Sequence, residues 1–521
     1  MRARNWLTPA AWVAAVAALL LLVFPLGFPN YDTIYALLWG RELGEGFDPD
    51  RGAALPPTPH PLAELFGLLA SPLNGGAINL TMVVAYVSLG LVGYLVYRLG
   101  SLWFDRPIGA VAALFVLTRA PFLSNGLRAY VDLPYIALVL GALVIETRRP
   151  RAGWPVLALL IPAGLLRPEA WLFSFAYLVY LQLNFKPARL ASAKPHETSG
   201  ESGDTPEVRP GVPLEPADTQ KRGLNRPRFV GARGIPGRTT AGLIALTLTA
   251  PVLWAIYDWI TAGSPTYSFT GTRETVETLG RHTGPIDLVV YGPRALGEVM
   301  QWPGMVGALG GVALGFLFLR RRSEIGIAAA VLALGAFAIL ACAGLAIIAR
   351  YTMLAGAVLA TFVALALLGW RLLEKGHPWR RAWQAFAAVV ALMFVVWAPN
   401  QYDLLSRVDT DLTNQGEIES DLGDLADSGA FEPLCLPISV PNHRAVPRLA
   451  FDLEVRPSRI VSSSEQRHQP RRGYFLDPAS PFVIHNFVLD PNDPSRFATT
   501  PVPPGFRRVA RNESWFLYRR C

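Results

Sequence analysis

The sequence predicts an all-α polytopic membrane protein with a small α/β domain outside the membrane at its C-terminal end. Three observations lead there. Hydrophobic residues make up 52% of the 521 positions and charged residues only 17%, with a mean hydropathy of +0.31, too apolar for a soluble chain of this length. Apolar runs recur as far as residue 398 and then stop. Arginine runs between them all fall on one side if the chain crosses alternately, the bias of cytoplasmic loops. The net charge of +8 is spread over those short runs, which argues against a nucleic-acid partner.

Taken in order, Arg2 and Arg4 precede an apolar run over residues 7–28. No small-residue cleavage site follows, so this is a retained first span with its N-terminus inside. Residues 29–62 form the first outer loop, with a helix expected over 33–40 and a short interfacial helix over 62–73. Spans follow at 79–97, 107–122 and 133–145, and the short runs 154–166 and 170–185 flank LRPEAW. Those two fall below the roughly 20 residues of a normal span, so tilt or re-entry is expected. Residues 1–185 therefore form an N-terminal transmembrane module. Residues 186–240, rich in Pro, Ser, Glu and Arg, read as a disordered cytoplasmic linker.

A C-terminal transmembrane module occupies residues 241–398, with a second large outer loop at 262–301. Its spans are expected at 241–261, 304–319, 325–348, 352–370 and 383–397, for a total of about eleven. From 399 to 521 nothing is long enough to span. A polar segment with leucines at helical intervals leads into short apolar runs separated by Pro and Asn turns, the pattern of a small α/β or β-rich extracytoplasmic domain. Cys342 lies in an apolar run and reads as a packing residue. Cys435 and Cys521 both fall in the outer domain, where an oxidising compartment favours a disulfide. No cysteine spacing resembles a zinc site.

Four clusters of ionisable residues reach the same outer face under this topology: Asp32 with His60, Arg128 with Asp132, Arg167 with Glu169, and Arg350 with Tyr351. Charged groups at span ends are functional candidates. Carboxylates can accept a proton from a hydroxyl, and arginines grip phosphate through charge-assisted hydrogen bonds. Together they suggest transfer from a lipid-linked phosphate donor. Structural roles stay open for most of them. Arg167 and Glu169 could pair at the turn broken by Pro168, Arg128 and Arg350 could be interfacial anchors, His60 could hold a proline turn, and Asp132 could cap a helix from Leu133. Asp32 has the least structural reason to be an acid.

The motifs YDTIYALLWGREL, PHPL, RAYVDLP, LRPEAW and ARYTML, in that order over residues 1–400, resemble the GT-C superfamily of integral-membrane glycosyltransferases. The likeness is to its protein O-mannosyltransferase and aminoarabinose transferase branch. This chain departs in having Asp32-Thr33 where the branch usually has Asp-Glu, and His60-Pro61-Leu62 where the branch often has a basic residue before a double proline. The resemblance implies a polyprenyl-phosphate sugar as donor, inversion at the anomeric centre, and an acceptor that is a protein, lipid or polysaccharide. Asp32 would be the general base and Asp132 its catalytic companion. Arg350, Arg128, Arg167 and His60 would hold the donor phosphate, and Tyr31, Glu169 and Tyr351 would orient sugar or acceptor. It implies no cofactor and forces no metal. The expected location is the cytoplasmic membrane, with the bilayer itself as a partner.

Two other classes compete. A flippase or transporter of lipid-linked substrates calls for an internal repeat and broken helices with polar groups at mid-membrane; no convincing repeat is found. A non-catalytic cell-envelope scaffold would rest on the C-terminal domain alone.

Overall fold

The computed structural model describes residues 4–24, 26–183, 240–465, 470–488 and 501–521. The expected linker at 186–240 lies outside the described residues, save Thr240, which starts a helix. The N-terminal module comprises α1 (Arg4–Val23), α2 (Tyr31–Gly44), α3 (Pro61–Ala70), α4 (Gly76–Trp103), α5 (Arg106–Leu117), α6 (Ala120–Leu127), α7 (Asp132–Arg148), α8 (Trp154–Leu166) and α9 (Glu169–Gln182). The second module has α10 (Thr240–Ala262), α11 (Tyr267–Thr278), α12 (Gly284–Phe318), α13 (Arg320–Cys342), α14 (Met353–Leu368) and α15 (Arg380–Asp427). This is a multi-pass membrane protein.

Among the described residues, six helices are long and apolar enough to cross a membrane: α4, α10, α12, α13, α15 and the stretch Ala349–Leu372 that contains α14. The pair α5 and α6, bent by 62°, brings the number to seven. The expected eleven exceed this because α8 and α9 have only 13 and 14 residues, about 20 Å of helix. In addition, α7 carries Asp132 and Glu146, and the apolar part of α1 is confined to Pro9–Val23. One boundary also differs. The last span was expected at 383–397 with the soluble domain starting at 399, but the span and that start both lie in α15, a helix of 48 residues that contains Pro399. The helix continues past its apolar part as far as Asp427, so the expected boundary at 398/399 falls within one element. Gln301, with φ +56° and ψ 161°, interrupts α12, so its first half lies in the expected outer loop and its second half is the expected span. Cys342 ends α13 and is exposed rather than packed.

The helix α14 is the centre of the membrane part, with every residue from Met353 to Ala366 buried. A helix apolar on all sides must be wrapped by others. The first outer loop folds as two crossed helices, α2 and α3. Glycines make that crossing close: a methyl on Gly40 would sit 2.3 Å from the Leu68 nitrogen, and one on Gly67 2.3 Å from the Ala36 oxygen.

The outer domain has a five-stranded sheet in the order β2-β1-β3-β5-β4. Its strands are β1 (Ile438–Val440), β2 (Ile460–Ser462), β3 (Gly473–Pro478), β4 (Arg507–Arg511) and β5 (Trp515–Arg520). Strand β1 pairs in parallel with β2 and β3, and β5 runs antiparallel to β3 and β4. Cys435, just before β1, is bonded to Cys521, just after β5, with Cα atoms 6.2 Å apart. One apolar core joins this domain to the first loop. Ile34, Leu38 and Trp39 of α2, Ile418 and Leu422 of α15, and Val440, Tyr474 and Trp515 of the sheet are all buried in it.

Candidate active site

Asp32 is positioned by its neighbours and has no capping duty of its own. Asn30 is the N-cap of α2, and its side chain accepts hydrogen bonds from the Asp32 and Thr33 amides. Asn30 is itself anchored by donating to the Arg128 carbonyl at 2.8 Å, while the Thr33 hydroxyl donates to the Ala129 carbonyl at 2.8 Å. The turn between α6 and α7 thereby fixes the start of α2 and leaves the Asp32 carboxylate available. That carboxylate accepts a hydrogen bond at 3.1 Å from Arg350 Nη1, and the two side chains remain 22% and 26% exposed.

Arg350 lies in the 3-10 turn Ala349–Thr352 that leads into α14, so the most buried helix of the membrane part positions it at its own N-terminal end. The Thr352 hydroxyl pins this turn, donating to the Ala349 carbonyl at 2.8 Å. The guanidinium lies over the rings of Tyr130 and Tyr351, 5.2 and 5.4 Å from their centroids, and its Nε has no partner although it is shielded from solvent.

Arg167 closes α8 just before Pro168, which cannot donate a helical hydrogen bond. Its Nη1 donates to Asp132 at 2.8 Å, and its Nη2 and Nε donate to one oxygen of Glu169 at 2.6 and 3.1 Å. All three side chains are at least nine-tenths buried, and the Tyr351 ring centroid is 4.4 Å from the guanidinium. The second oxygens of Asp132 and Glu169 have no partner. Asp132 therefore serves Arg167 and makes no cap bond at the start of α7.

His60 is the N-cap position of α3, followed by Pro61, and its ring packs edge-on against Trp254 at 5.9 Å. Its Nδ1 is shielded and has no partner. Burial above all, reinforced by the charges of Arg167 and Arg350, pulls its pKa down to about 4. The ring is thus neutral near pH 7 and can offer a phosphate a hydrogen bond but no charge.

Asp32, His60, Asp132, Arg167, Glu169, Arg350 and Tyr351 thus share one neighbourhood, contributed by five separate segments. Two expected residues stand apart from it. The Arg128 guanidinium is taken up by Gln415 of α15, at 3.1 and 2.9 Å, and by the Ser124 hydroxyl; its contribution to the cluster is the carbonyl that holds Asn30. The Tyr31 hydroxyl donates to the Leu55 carbonyl at 3.0 Å, and the ring packs on Tyr35 and on His443 of the outer domain. Three neighbours of the cluster were not singled out from the sequence. Tyr130 lies within the quoted RAYVD motif, and Asn30 is a standard capping residue type. Trp254, buried inside the apolar α10, gives no local signal.

The backbone as a whole has an ArnT-like, GT-C fold. Two solved structures of ArnT, a GT-C glycosyltransferase from Cupriavidus metallidurans, superpose along nearly the whole chain. The one bound to undecaprenyl phosphate has a TM-score of 0.53 and 14% identity, over 99% of this chain and 98% of the other. The apo form has a TM-score of 0.51 and 13% identity with the same coverage. No family model matches the sequence, and no curated protein sequence matches it.

Proposed function

We propose that the chain is a membrane glycosyltransferase moving a sugar from a polyprenyl-phosphate donor to an acceptor hydroxyl on the outer face, with inversion. The observation that carries this reading is the contrast between the two arginines. Arg167 is saturated by Asp132 and Glu169, so it organises the site. Arg350 holds a single, partly exposed carboxylate and keeps a shielded N–H spare, so an incoming phosphate can compete for it. Once it does, Asp32 is released beside the reacting centre. The acceptor oxygen attacks the anomeric carbon and passes its proton to Asp32. The bond from that carbon to the phosphate oxygen breaks, and its electron pair leaves on the lipid phosphate beside Arg350. The lipid in the ArnT complex supports a polyprenyl phosphate as the leaving group.

For the topology, α1, α7, α8 and α9 are taken as shorter crossings beside the seven above, giving eleven with the N-terminus inside and the outer domain outside, in the cytoplasmic membrane. The test of function is transfer from radiolabelled undecaprenyl-phosphate sugars by the purified chain in detergent. Labelled product is expected. Labelled lipid crossing a vesicle membrane with no product formed would favour the flippase reading.

A further inference from the structure

A second polar site lies beside the first, between the proline turn of the first loop and α11. A cavity of about 310 Å³ is lined by Arg51, Thr58, Tyr267, Ser268, Thr270 and Thr272, among others. Its walls reach the transfer site. Pro59, which lines it, directly precedes His60. Ser268 accepts the Trp254 indole N–H at 3.0 Å, and Trp254 is the ring that His60 packs on. Ser268 is in turn locked by Asp258, to which its hydroxyl and amide donate at 2.7 and 2.8 Å.

Arg51 is the unusual member. Its side chain is only 7% exposed, and the guanidinium is stacked over Trp39 at 4.6 Å with Tyr257 and Tyr267 at 5.8 and 5.4 Å. Nη2 meets Thr261 at 3.2 Å, Tyr257 at 3.4 Å and Glu64 at 3.5 Å, while Nε and Nη1 are shielded and have no partner. Glu64 is an incomplete counter-charge: it also accepts the Tyr257 hydroxyl, and burial pushes its carboxyl up to about 7. Glu274, also on the lining, is exposed at the rim, where solvent screens it. A buried cation with idle donors costs stability unless something completes it, and the hydroxyls around it suit a sugar.

We propose that this cavity is a subsite for an anionic sugar, whose carboxylate or phosphate Arg51 receives while the threonine hydroxyl oxygens of the lining accept hydrogen bonds from the sugar's own hydroxyls. The proposal rests on reading the neighbouring cluster as the transfer site, and it names the substrate class presented there. A site built to pair a charged group discriminates strongly against the analogue that lacks it.

The experiment is calorimetric titration of the full-length chain in detergent with glucuronate, glucose 6-phosphate and glucose. At least one acidic sugar should bind about tenfold or more tighter than glucose, the size of one charge-assisted hydrogen bond, and the ranking of the two acids tells carboxylate from phosphate. Arg51→Gln should erase the advantage. Gly271→Leu provides a variant less prone to misfold, because a Cβ at this lining position meets nothing within 4 Å, and leucine is a better helix former than glycine. It should block all three sugars. Glucose binding as tightly as both acids, or unchanged binding in both variants, overturns the subsite. Binding of undecaprenyl phosphate, measured in parallel on the unaltered chain, reports the transfer site separately, so either reading can fail without the other.

Discussion

Arg350 donates to Asp32 across 3.1 Å although 318 residues separate the two in the chain. The pair joins the first turn of α2 to the turn that opens the central membrane helix α14. It links the two transmembrane modules at the point where the proposed chemistry occurs.

Asp32→Asn keeps size and hydrogen bonding but removes the base. Because Asn30 caps α2 in its place, the substitution should leave folding intact and lower transfer by roughly 10²–10⁴-fold. Product formation from a labelled polyprenyl-phosphate sugar is the measurement. Activity within a few-fold of the unaltered chain would remove Asp32 from the role.

The two arginines should fail differently. Arg350→Ala is expected to weaken binding of undecaprenyl phosphate by about tenfold or more, with thermal stability little changed. Arg167→Ala strands two buried carboxylates, a loss on the order of 3–5 kcal/mol, and should appear as poor expression or a lowered Tm. Equal Tm values for both variants would contradict the division of labour between them.

The pH dependence of stability follows from His60. Its pKa is lowered from 6.5 to about 4, so the unfolded chain takes up a proton in that window that the folded chain refuses. This group therefore destabilises progressively as the pH falls from about 6.5 to 4 and has no effect above that window. The Tm of the unaltered chain should drop more between pH 7 and pH 5 than that of His60→Gln. Parallel curves would mean that His60 is not the group being titrated.

The disulfide Cys435–Cys521 has a sequence separation of 86. Chain-entropy arguments give a bridge of that span about 4–5 kcal/mol. Cys521→Ser should leave the membrane helices in place but make the outer domain markedly more sensitive to protease, read from fragment patterns on gels. Identical cleavage rates would show that the sheet does not depend on the bridge.

The sequence by itself determined what depends on local composition. Apolar runs marked α4, α10, α13 and α14 because a helix is the spanning element that satisfies its own backbone in lipid. The motifs around Asp32, Asp132, Arg167 and Arg350 named groups that come together in space. The end of the apolar run at 398 did not mark the end of the helix: α15 runs on through Pro399, since one proline costs a few kcal/mol and a helix of 48 residues packed at both ends can absorb it. The tertiary structure alone decided which charges pair. Arg128 and Arg350 look alike in the sequence, each beside a tyrosine or acid at a span end, but Gln415 claims the first and Asp32 the second. Such choices depend on contacts made across hundreds of residues, where side-chain geometry and burial select one partner and no local pattern records the choice.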